Sequence, residues 1–573
     1  MSIATDTFEM LSPSRFISFT FPNPYPLLPN PYADSLRVAV LDSALHSSHP
    51  DPQIAALLVP KRREHDWLFS THQGHLQLLA NSPDPISRLI LVGDPPQPHF
   101  PSVYARPKPG EDDDFTSLAR FQQHLLPLLR ALSPKSAFHS GIPKIPFVSY
   151  EDDLLRSVLV SRCHGDVVGE MLVEDVEIEV GDGGGTEFRR RLRFKRMPNL
   201  IQTVTRIVPV GKPDAVGFGV GDGEFRPETS VLVQPYLIPM VAGLSLAAVW
   251  LEELVRAGRR PRMLCLGVGG GSLMTFLRTQ LGFFDLLGVE MDESVLELAR
   301  QYFGLVEDEH THVCVGDGME LIQRFARQAI HRSLTARELA HRHGVDFGVE
   351  TVENEVKLKC FPGAEGLDFC STKVENGENG QCVCSDAGDS MEQNSDWNTS
   401  SNITIDNICI GKEIRNADFG RPCRPGYAEN PEGNGDLRIP DACSEETGAD
   451  DGIYLSDVIM VDLDSGDART GLSAPPSEFI EKPVILASRL ALHEHGILVM
   501  NVIIVDESFY AHLIRSFREV FSELYEIDVG NGENYVLIGT ASPINSTHSG
   551  CTILERLKQI RDVEKYIDCI QKI

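Results

Sequence analysis

The stretch MLCLGVGGGSLMTFL, residues 263–277, decides the fold of this 573-residue chain. An apolar run of strand length leads into four glycines within five residues, and a segment with helical spacing follows. A buried strand, a glycine-rich turn and a helix in this order are typical of a parallel α/β sheet with a nucleotide-like ligand at its carboxyl edge. Glycine allows positive φ and close backbone approach at such a turn, and the helix start offers free N–H groups.

Strands and helices alternate on both sides of this stretch. An apolar helical run, residues 237–257, precedes it, and a hairpin pattern around Gly530, Asn531 and Gly532 closes the alternation. Further strand patterns occur at residues 286–292, 312–318, 456–464 and 496–502. Strands that alternate with helices indicate a doubly wound, mostly parallel sheet. We therefore predict an α/β, Rossmann-like domain.

The other parts of the chain have different compositions. In residues 165–194, two alternating segments flank the glycine turn GDGGG, which predicts a β-hairpin. The predicted parts are a loose, Pro-rich lead-in (1–35), an α+β region with the hairpin (36–230), the α/β domain (231–340 and 451–545), an acidic insertion (341–450) and a C-terminal helix (546–573). The insertion lacks apolar periodicity, so we expect it to be disordered.

Seven of the twelve cysteines lie in the insertion, where a metal site is the first idea to consider. Cys382 and Cys384 form a C-x-C pair, whereas the other five are scattered, and no C-x-x-C pair occurs there. A zinc ribbon would supply its ligands from C-x-x-C pairs. We predict no metal site.

Composition restricts the partners and the location. The formal net charge is −30, which disfavours binding to nucleic acid and to anionic membranes. No uninterrupted stretch of eighteen or more apolar residues occurs, and the start of the sequence does not have the features of a secretory signal, so we expect no membrane association. The cysteines are then expected to be reduced, and the predicted location is cytoplasmic.

The spacing of the glycines separates two classes of cofactor. The dinucleotide fingerprint G-x-G-x-x-G would need a third glycine where Ser272 stands. Gly267, Gly269 and Gly271 instead satisfy G-x-G-x-G, which resembles the first motif of S-adenosylmethionine-dependent methyltransferases. This resemblance implies that the loop passes close to the methionine part of S-adenosyl-L-methionine.

Acidic residues at the ends of the next strands fit the same cofactor. Glu290 ends the second strand, where a carboxylate can accept hydrogen bonds from both ribose hydroxyls. Asp317 follows the third strand and can accept from the adenine amino group, with Gly318 and Met319 beside the ring. Each acid alone could simply face solvent. Together with Asp462 they place three carboxylates at successive strand ends of one sheet.

Longer strings carry a family resemblance. The chain resembles the spermidine synthase-like methyltransferases in four motifs, LCLGVGGGS, GVEMDES, VGDGMEL and DVIMVDLDSGD. It also resembles the C-terminal half of the elongation factor 1-alpha lysine and N-terminal methyltransferases, in two longer stretches, VPKRREHDWLFSTHQGHLQLLANS and EFRRRLRFKRMPNLIQTVTRI. The resemblance covers about residues 55–330 and 455–540. It implies a seven-stranded class I methyltransferase domain and a protein substrate, elongation factor 1-alpha. The implied acceptor is its N-terminal α-amine, with a lysine less favoured. A homodimer is possible.

The same resemblance suggests site residues for the acceptor. Asp462 and Asp464 would hold the incoming amine, and Gln202 would line the methionine end of the cofactor. Asp464 could instead cap the next segment as a turn acid.

Two alternatives stay open. In aminopropyltransferases a tyrosine stands three residues before the methionine that matches Met240; here that position is Leu237, and the acidic motif is altered. These departures count against a spermidine synthase-like activity. The third possibility is a non-catalytic binding module with a methyltransferase fold.

Overall fold

The computed structural model describes residues 6–24, 34–44, 52–80, 85–96, 101–108, 115–181, 185–211, 218–345, 455–465, 474–504, 507–532, 534–544 and 550–573. Most of the acidic insertion predicted at 341–450 lies outside the described residues, and so do all seven of its cysteines.

The first sheet is formed near the start of the chain, and its strands are ordered β1-β2-β4-β3-β6. The first elements are β1 (Phe16–Pro22), β2 (Ser35–Asp42), β3 (Ile54–Leu58), α1 (Trp67–Ser70), α2 (His72–Ala80), β4 (Arg88–Gly93), β5 (Val103–Ala105), α3 (Phe115–Ala131) and β6 (Phe147–Val148). The prediction of a loose lead-in over residues 1–35 is wrong for β1, which pairs antiparallel with β2 along its whole length. The one proline of this strand, Pro22, is its last residue, so no proline interrupts the pairing from within.

The second sheet is antiparallel and includes the predicted hairpin. It contains β5 together with β7 (Leu154–Gly165), β8 (Gly169–Val180), β9 (Gly185–Phe194), β10 (Ile201–Pro209) and β11 (Phe225–Pro227). The strand order is β11-β10-β9-β8-β7-β5. β8 and β9 pair from Met171 opposite Phe194 to Val180 opposite Gly185, so the hairpin prediction is confirmed. The region predicted as one α+β unit therefore contributes to two separate sheets.

The arginines of β9 are paired with acids, which explains how a strongly basic strand packs in this fold. Arg190 contacts Asp175 at 2.6 Å, and Arg193 lies between Glu174 at 3.3 Å and Asp66 at 2.7 Å. Neighbouring guanidinium groups, that of Arg193 among them, lower the pKa values of Asp66 and Glu174 despite their burial. Arg193 thus links the second sheet to the N-cap of α1, which follows β3 of the first sheet.

The third sheet is the predicted α/β domain. Its elements are α4 (Leu237–Gly243), α5 (Ala248–Arg256), β12 (Arg262–Leu266), α6 (Ser272–Gln280), β13 (Asp285–Glu290), α7 (Glu293–Tyr302), β14 (Thr311–Val315), α8 (Gly318–Arg332), α9 (Leu334–Arg342), β15 (Ser456–Val461), α10 (Lys482–Leu490), β16 (Leu492–Ile503), α11 (Glu507–Val520), β17 (Glu523–Asp528), β18 (Asn534–Thr540), α12 (Thr552–Gln559), α13 (Val563–Ile567) and β19 (Gln571–Lys572).

The strand order β14-β13-β12-β15-β16-β18-β17-β19 gives the domain its ligand edge. The strands from β14 to β16 are mutually parallel, and β18 runs antiparallel to β16. The chain leaves β12 in one direction along the sheet and returns to β15 on the other side, which opens a crevice at the carboxyl end of β12. This is the predicted seven-stranded, class I methyltransferase fold, with β19 as a short additional edge strand.

Two segments differ from their predicted form. Residues 546–573 were predicted as one helix, but their described part forms α12, α13 and β19, because Asp562 adopts a φ of +66° between the two helices. The predicted helical run at 237–257 is broken by a 3₁₀ turn at Leu244–Ala247.

The run Leu237–Arg256 is, among the described residues, long and apolar enough to cross a membrane by length and composition alone. Its mean hydropathy is 1.6, and 67% of the window is buried within the fold. Met240, Val241 and Leu251 pack in the same core as strands β16 and β18, so this segment serves as a core helix of the α/β domain.

Candidate functional site

The glycine loop after β12 has the backbone conformation that its spacing predicts. Gly267, Gly269 and Gly271 adopt φ values of +79°, +52° and +78°. All three lie in the left-handed region, where a Cβ atom is unfavourable. The alternate glycines of G-x-G-x-G therefore correspond to the positions that turn the chain from β12 into α6.

Close packing adds a second reason for Gly267. A Cβ atom at this position would stand 2.1 Å from the carbonyl oxygen of Asp462, so the end of β15 can approach the loop only if residue 267 is glycine. Gly271 has a different role from the one predicted. It is the N-cap residue of α6 and packs against Leu305, and it does not line the cavity described next.

A cavity of about 340 Å³ opens at the carboxyl edge of the third sheet. One wall is the glycine loop with the ends of β13, β14 and β15, and the opposite wall comes from the second sheet. Of the predicted site residues, the cavity wall includes Gly267, Gly269, Glu290, Asp317, Gly318, Met319, Gln202, Asp462 and Asp464. The structure therefore brings together all of them except Gly271.

The acids at the first two strand ends also organise the loops around them. Glu290 accepts hydrogen bonds from the N–H groups of Gly269, at 2.9 Å, and Met291, at 3.0 Å. Burial nevertheless raises the pKa of Glu290 above its ordinary value. Asp317 is the N-cap of α8 and accepts from the N–H of Met319 at 2.8 Å. Both carboxylates thus have a structural contact on one side and the cavity on the other.

Asp462 follows β15 and is the most strongly perturbed acid in the cavity. Burial, reinforced by the charge of Asp464, raises the pKa of Asp462 to about 6. Two donors oppose this rise: the Tyr236 hydroxyl, 3.1 Å from Oδ2, and Nδ2 of Asn501, 3.2 Å from Oδ1. Gln234 donates in turn to the Tyr236 hydroxyl at 2.8 Å. The result is a carboxylate with fixed orientation that changes charge close to neutral pH.

Asp464 is held by two side chains of the second sheet and its connecting loop. Nε2 of Gln202 donates to Oδ2 of Asp464 at 3.1 Å, and Nη2 of Arg196 lies 3.8 Å from Oδ1. Gln202 was predicted to line the methionine end of the cofactor; it lines the cavity and also orients Asp464. This end of the cavity therefore combines two carboxylates with one guanidinium group.

The sequence reasoning missed Tyr236, Asn501 and Thr203. Leu237 stands where aminopropyltransferases have a tyrosine, as the sequence indicates, and the adjacent Tyr236 supplies a hydroxyl to Asp462. A tyrosine just before the apolar run was the available signal. Thr203 accepts from the N–H of Gly270 at 2.7 Å and ties the second sheet to the glycine loop, a contact with no local sequence signature.

The turn between β7 and β8 forms part of the cavity wall. Asp292, which is 2% exposed, caps α7 and also accepts from the N–H groups of Val167 at 2.8 Å and Val168 at 3.0 Å. Both valines line the cavity. The buried carboxylate of Asp292 therefore fixes the turn between β7 and β8 over the end of β13.

Metal ligands are absent from this site as far as the structure describes it. In the described ranges, no group of three or more His, Cys, Asp or Glu side chains is placed to hold a metal ion.

Comparisons with known proteins identify relatives of the chain. No family model matches it. Curated proteins named eEF1A lysine and N-terminal methyltransferase match from Xenopus laevis (27% identity, 56% of this chain and 42% of the relative) and Homo sapiens (27%, 50% and 39%). The homologue from Drosophila pseudoobscura pseudoobscura is 28% identical over 48% of this chain and 36% of its own length. The chain spans less than half the length of these curated relatives.

Two solved structures are also similar. The crystal structure of human methyltransferase-like protein 13 in complex with SAH has a TM-score of 0.32 and 17% identity, covering 59% of this chain and 93% of that one. A probable spermidine synthase from Corynebacterium glutamicum has a TM-score of 0.33 and 11% identity, covering 72% and 89%. The resemblance predicted from the motifs is confirmed by the curated relatives: over about half of its length, this chain is a homologue of proteins named eEF1A lysine and N-terminal methyltransferase.

Proposed function

We propose that this chain is an S-adenosylmethionine-dependent protein methyltransferase that modifies the N-terminal α-amine of elongation factor 1-alpha. One observation carries the proposal: the glycine loop, Glu290 and the half-buried Asp462 all open on the same cavity. Glu290 and Asp462 lie at the ends of β13 and β15, the two strands that flank β12, so a carboxylate for a ribose and one for an amine would stand on either side of the glycine loop.

The residues present fit the cofactor. Gly267 and Gly269 turn the loop with positive φ at the cavity wall, and Glu290 offers a carboxylate that can accept from a vicinal diol. Asp317, Gly318 and Met319 stand beside the next strand end, where an adenine would be held. When bound, the cofactor supplies an electrophilic methyl group on its sulfonium. The protein then has to present a neutral amine to that group and exclude water.

Asp462 and Asp464 support binding of an amine. An α-ammonium has a reference pKa of about 8, so about one tenth of the group is neutral at pH 7, whereas a lysine at about 10.4 is almost entirely charged. Asp462, with a pKa of about 6, is ionised at this pH and can attract the ammonium form. Transfer of its proton to Asp462 would be uphill by about 2 units, or about 3 kcal/mol, which is compatible with general base catalysis. This favours an α-amine over a lysine.

The test uses full-length chain, labelled S-adenosylmethionine and recombinant elongation factor 1-alpha without its initiator methionine. We expect label on the N-terminal peptide by mass spectrometry, and none when the same protein carries an acetylated N-terminus. The acetylated control retains every lysine. Label that persists on it would assign the reaction to lysine, and no label on either form would reject the proposed substrate.

Two other functions, aminopropyl transfer and a non-catalytic binding role, can be tested by related measurements. Tyr236 removes one argument against aminopropyl transfer, but Arg196 places a cation beside Asp464, where a diamine would carry its second ammonium. Putrescine with decarboxylated S-adenosylmethionine tests this activity. A non-catalytic module would show no binding of S-adenosylmethionine by calorimetry. The cytoplasmic location, the lack of nucleic-acid and membrane partners, and the possible homodimer stay predictions from composition and resemblance.

A further inference from the structure

Three asparagine side chains form a chain of hydrogen bonds that ends at Asp462. Nδ2 of Asn531 donates to Oδ1 of Asn534 at 2.9 Å, and Nδ2 of Asn534 donates to Oδ1 of Asn501 at 2.9 Å. Nδ2 of Asn501 then donates to Oδ1 of Asp462 at 3.2 Å. Asn534 and Asn501 each accept from the previous member and donate to the next, so the hydrogen bonds run in one direction, from the β17–β18 turn to the carboxylate.

Sheet register brings these residues together. Val461 pairs with Met500 in the parallel ladder, so Asp462 and Asn501 follow side by side at the ends of β15 and β16. Asn501 pairs with Val536 in the antiparallel ladder, and Asn534 is on the same face two residues earlier. Asn501 and Asn534 are 3% and 5% exposed, whereas Asn531 is exposed. The chain of amides thus runs from the surface into the core.

The direction of the chain has an electrostatic consequence. Because Oδ1 of Asn501 is occupied by the Asn534 donor, Asn501 can present only its N–H to Asp462. A donor stabilises the ionised carboxylate and does not stabilise a proton on the same oxygen. Successive amide hydrogen bonds also polarise one another in a low-dielectric interior, which strengthens the last one.

The other groups that face Asp462 are not part of this chain of hydrogen bonds. Tyr236 donates to the opposite oxygen, Oδ2. Asp464 is a second acid, and its charge raises the pKa of Asp462. From β12, Cys265 also faces it, but burial raises the pKa of this thiol to about 12, so it is uncharged at neutral pH.

We propose that Asn534 and Asn501, with Asn531 at the surface, are positioning residues that hold Asp462 ionised and fixed in orientation for the amine acceptor. The proposal rests on the proposed function for its catalytic consequence only, because the electrostatic effect on Asp462 is a property of the folded chain.

The first test therefore does not use activity. Melting temperatures of the full-length protein are measured at pH 5.5 and pH 8 for wild type and Asn534→Leu. Removing this chain of hydrogen bonds lowers the stability of the fold more when Asp462 is charged. The decrease in melting temperature caused by Asn534→Leu should therefore be larger at pH 8. Thr540→Val is the matched control: it is buried on the same strand, and its hydroxyl lacks a hydrogen-bond partner among the described residues.

Thr540→Val should change the melting temperature by the same amount at both pH values. Asn531→Ala, a surface change expected to leave folding intact, should show a smaller effect of the same sign as Asn534→Leu. If the decreases for Asn534→Leu and Asn531→Ala are the same at both pH values, the proposal is overturned.

The second test uses transfer to the elongation factor N-terminal peptide. Asn534→Leu should raise the acid-side pKa of kcat by about 0.5 to 1 unit, equivalent to a roughly twofold to fivefold loss near pH 6. The peptide is the same for every variant, so its own titration cancels, and calorimetry should show unchanged cofactor affinity. An unshifted pH profile contradicts the catalytic consequence. If wild type is inactive but the decrease in melting temperature caused by Asn534→Leu depends on pH, the proposed function is rejected and the role of the asparagine hydrogen bonds is retained.

Discussion

The Tyr236 hydroxyl donates to Oδ2 of Asp462 across 3.1 Å, although 226 residues separate them. Tyr236 precedes α4, and Asp462 follows β15, so the contact joins the entry of the α/β domain to the strand beside the glycine loop. Tyr236 thus holds one carboxylate oxygen of Asp462, and Asn501 holds the other. This contact makes the tyrosine part of the site.

Tyr236→Phe should leave the fold intact and lower kcat about tenfold near pH 6.5. The change removes a donor to the ionised carboxylate, so the pKa of Asp462 should rise further and the acid limb of the kcat profile should move to higher pH. Tyr525→Phe is the control, because its hydroxyl bonds Glu523 outside the cavity. Equal pH profiles for the two variants would show that the Tyr236 bond does not act on Asp462.

Glu290→Gln should weaken binding of S-adenosylmethionine by about tenfold to a hundredfold. A neutral amide loses the charge-assisted hydrogen bonds that a carboxylate can accept from a diol. Calorimetry of the cofactor measures the effect, and Glu297→Gln, an exposed change on the following helix, is the control. A Glu290→Gln variant that binds as tightly as wild type would remove Glu290 from the ribose site.

Gly267→Ala separates the two constraints on the glycine loop. Both Gly267 and Gly258 have φ near +77°, but a Cβ at Gly258 would meet nothing within 4 Å, whereas at Gly267 it would meet the Asp462 carbonyl. Gly258→Ala should therefore cost about 1 kcal/mol from backbone strain alone. Gly267→Ala should cost clearly more and also reduce cofactor affinity. Equal losses of melting temperature would mean that the close approach adds nothing.

The pH dependence of Asp462 should appear in stability as well as in activity. Its folded pKa of about 6 lies above the unfolded value of about 3.9, so the fold favours the neutral form. This contribution is complete below pH 4 and is lost as the pH rises through 6, at an upper limit of about 3 kcal/mol. Relative to Asp462→Asn, wild type should become less stable between pH 5 and pH 7.5. Melting curves at both values check this, and Asp462→Asn should also be inactive. A constant difference would place the pKa of Asp462 outside this window.

Much of the α/β domain was predictable because its signals are local. The apolar run before Gly267, the alternate glycines and the acids after each strand occupy short windows whose periodicity reflects burial. The strand β1 was not predictable in the same way, since it lies in a Pro-rich segment and is stabilised by pairing with β2. Pairing of this kind depends on the partner as much as on the strand itself.

The sequence by itself determined the type of domain, the conformation of the glycine loop and the strand ends that carry acids. Only the tertiary structure decided which of these acids is buried beside a donor and which caps a helix. Asp462, Asn501, Asn534 and Tyr236 meet because strand order and register bring distant residues to one sheet edge. Charge state follows from that meeting, because desolvation and hydrogen bonding act through space and leave no local pattern in the chain.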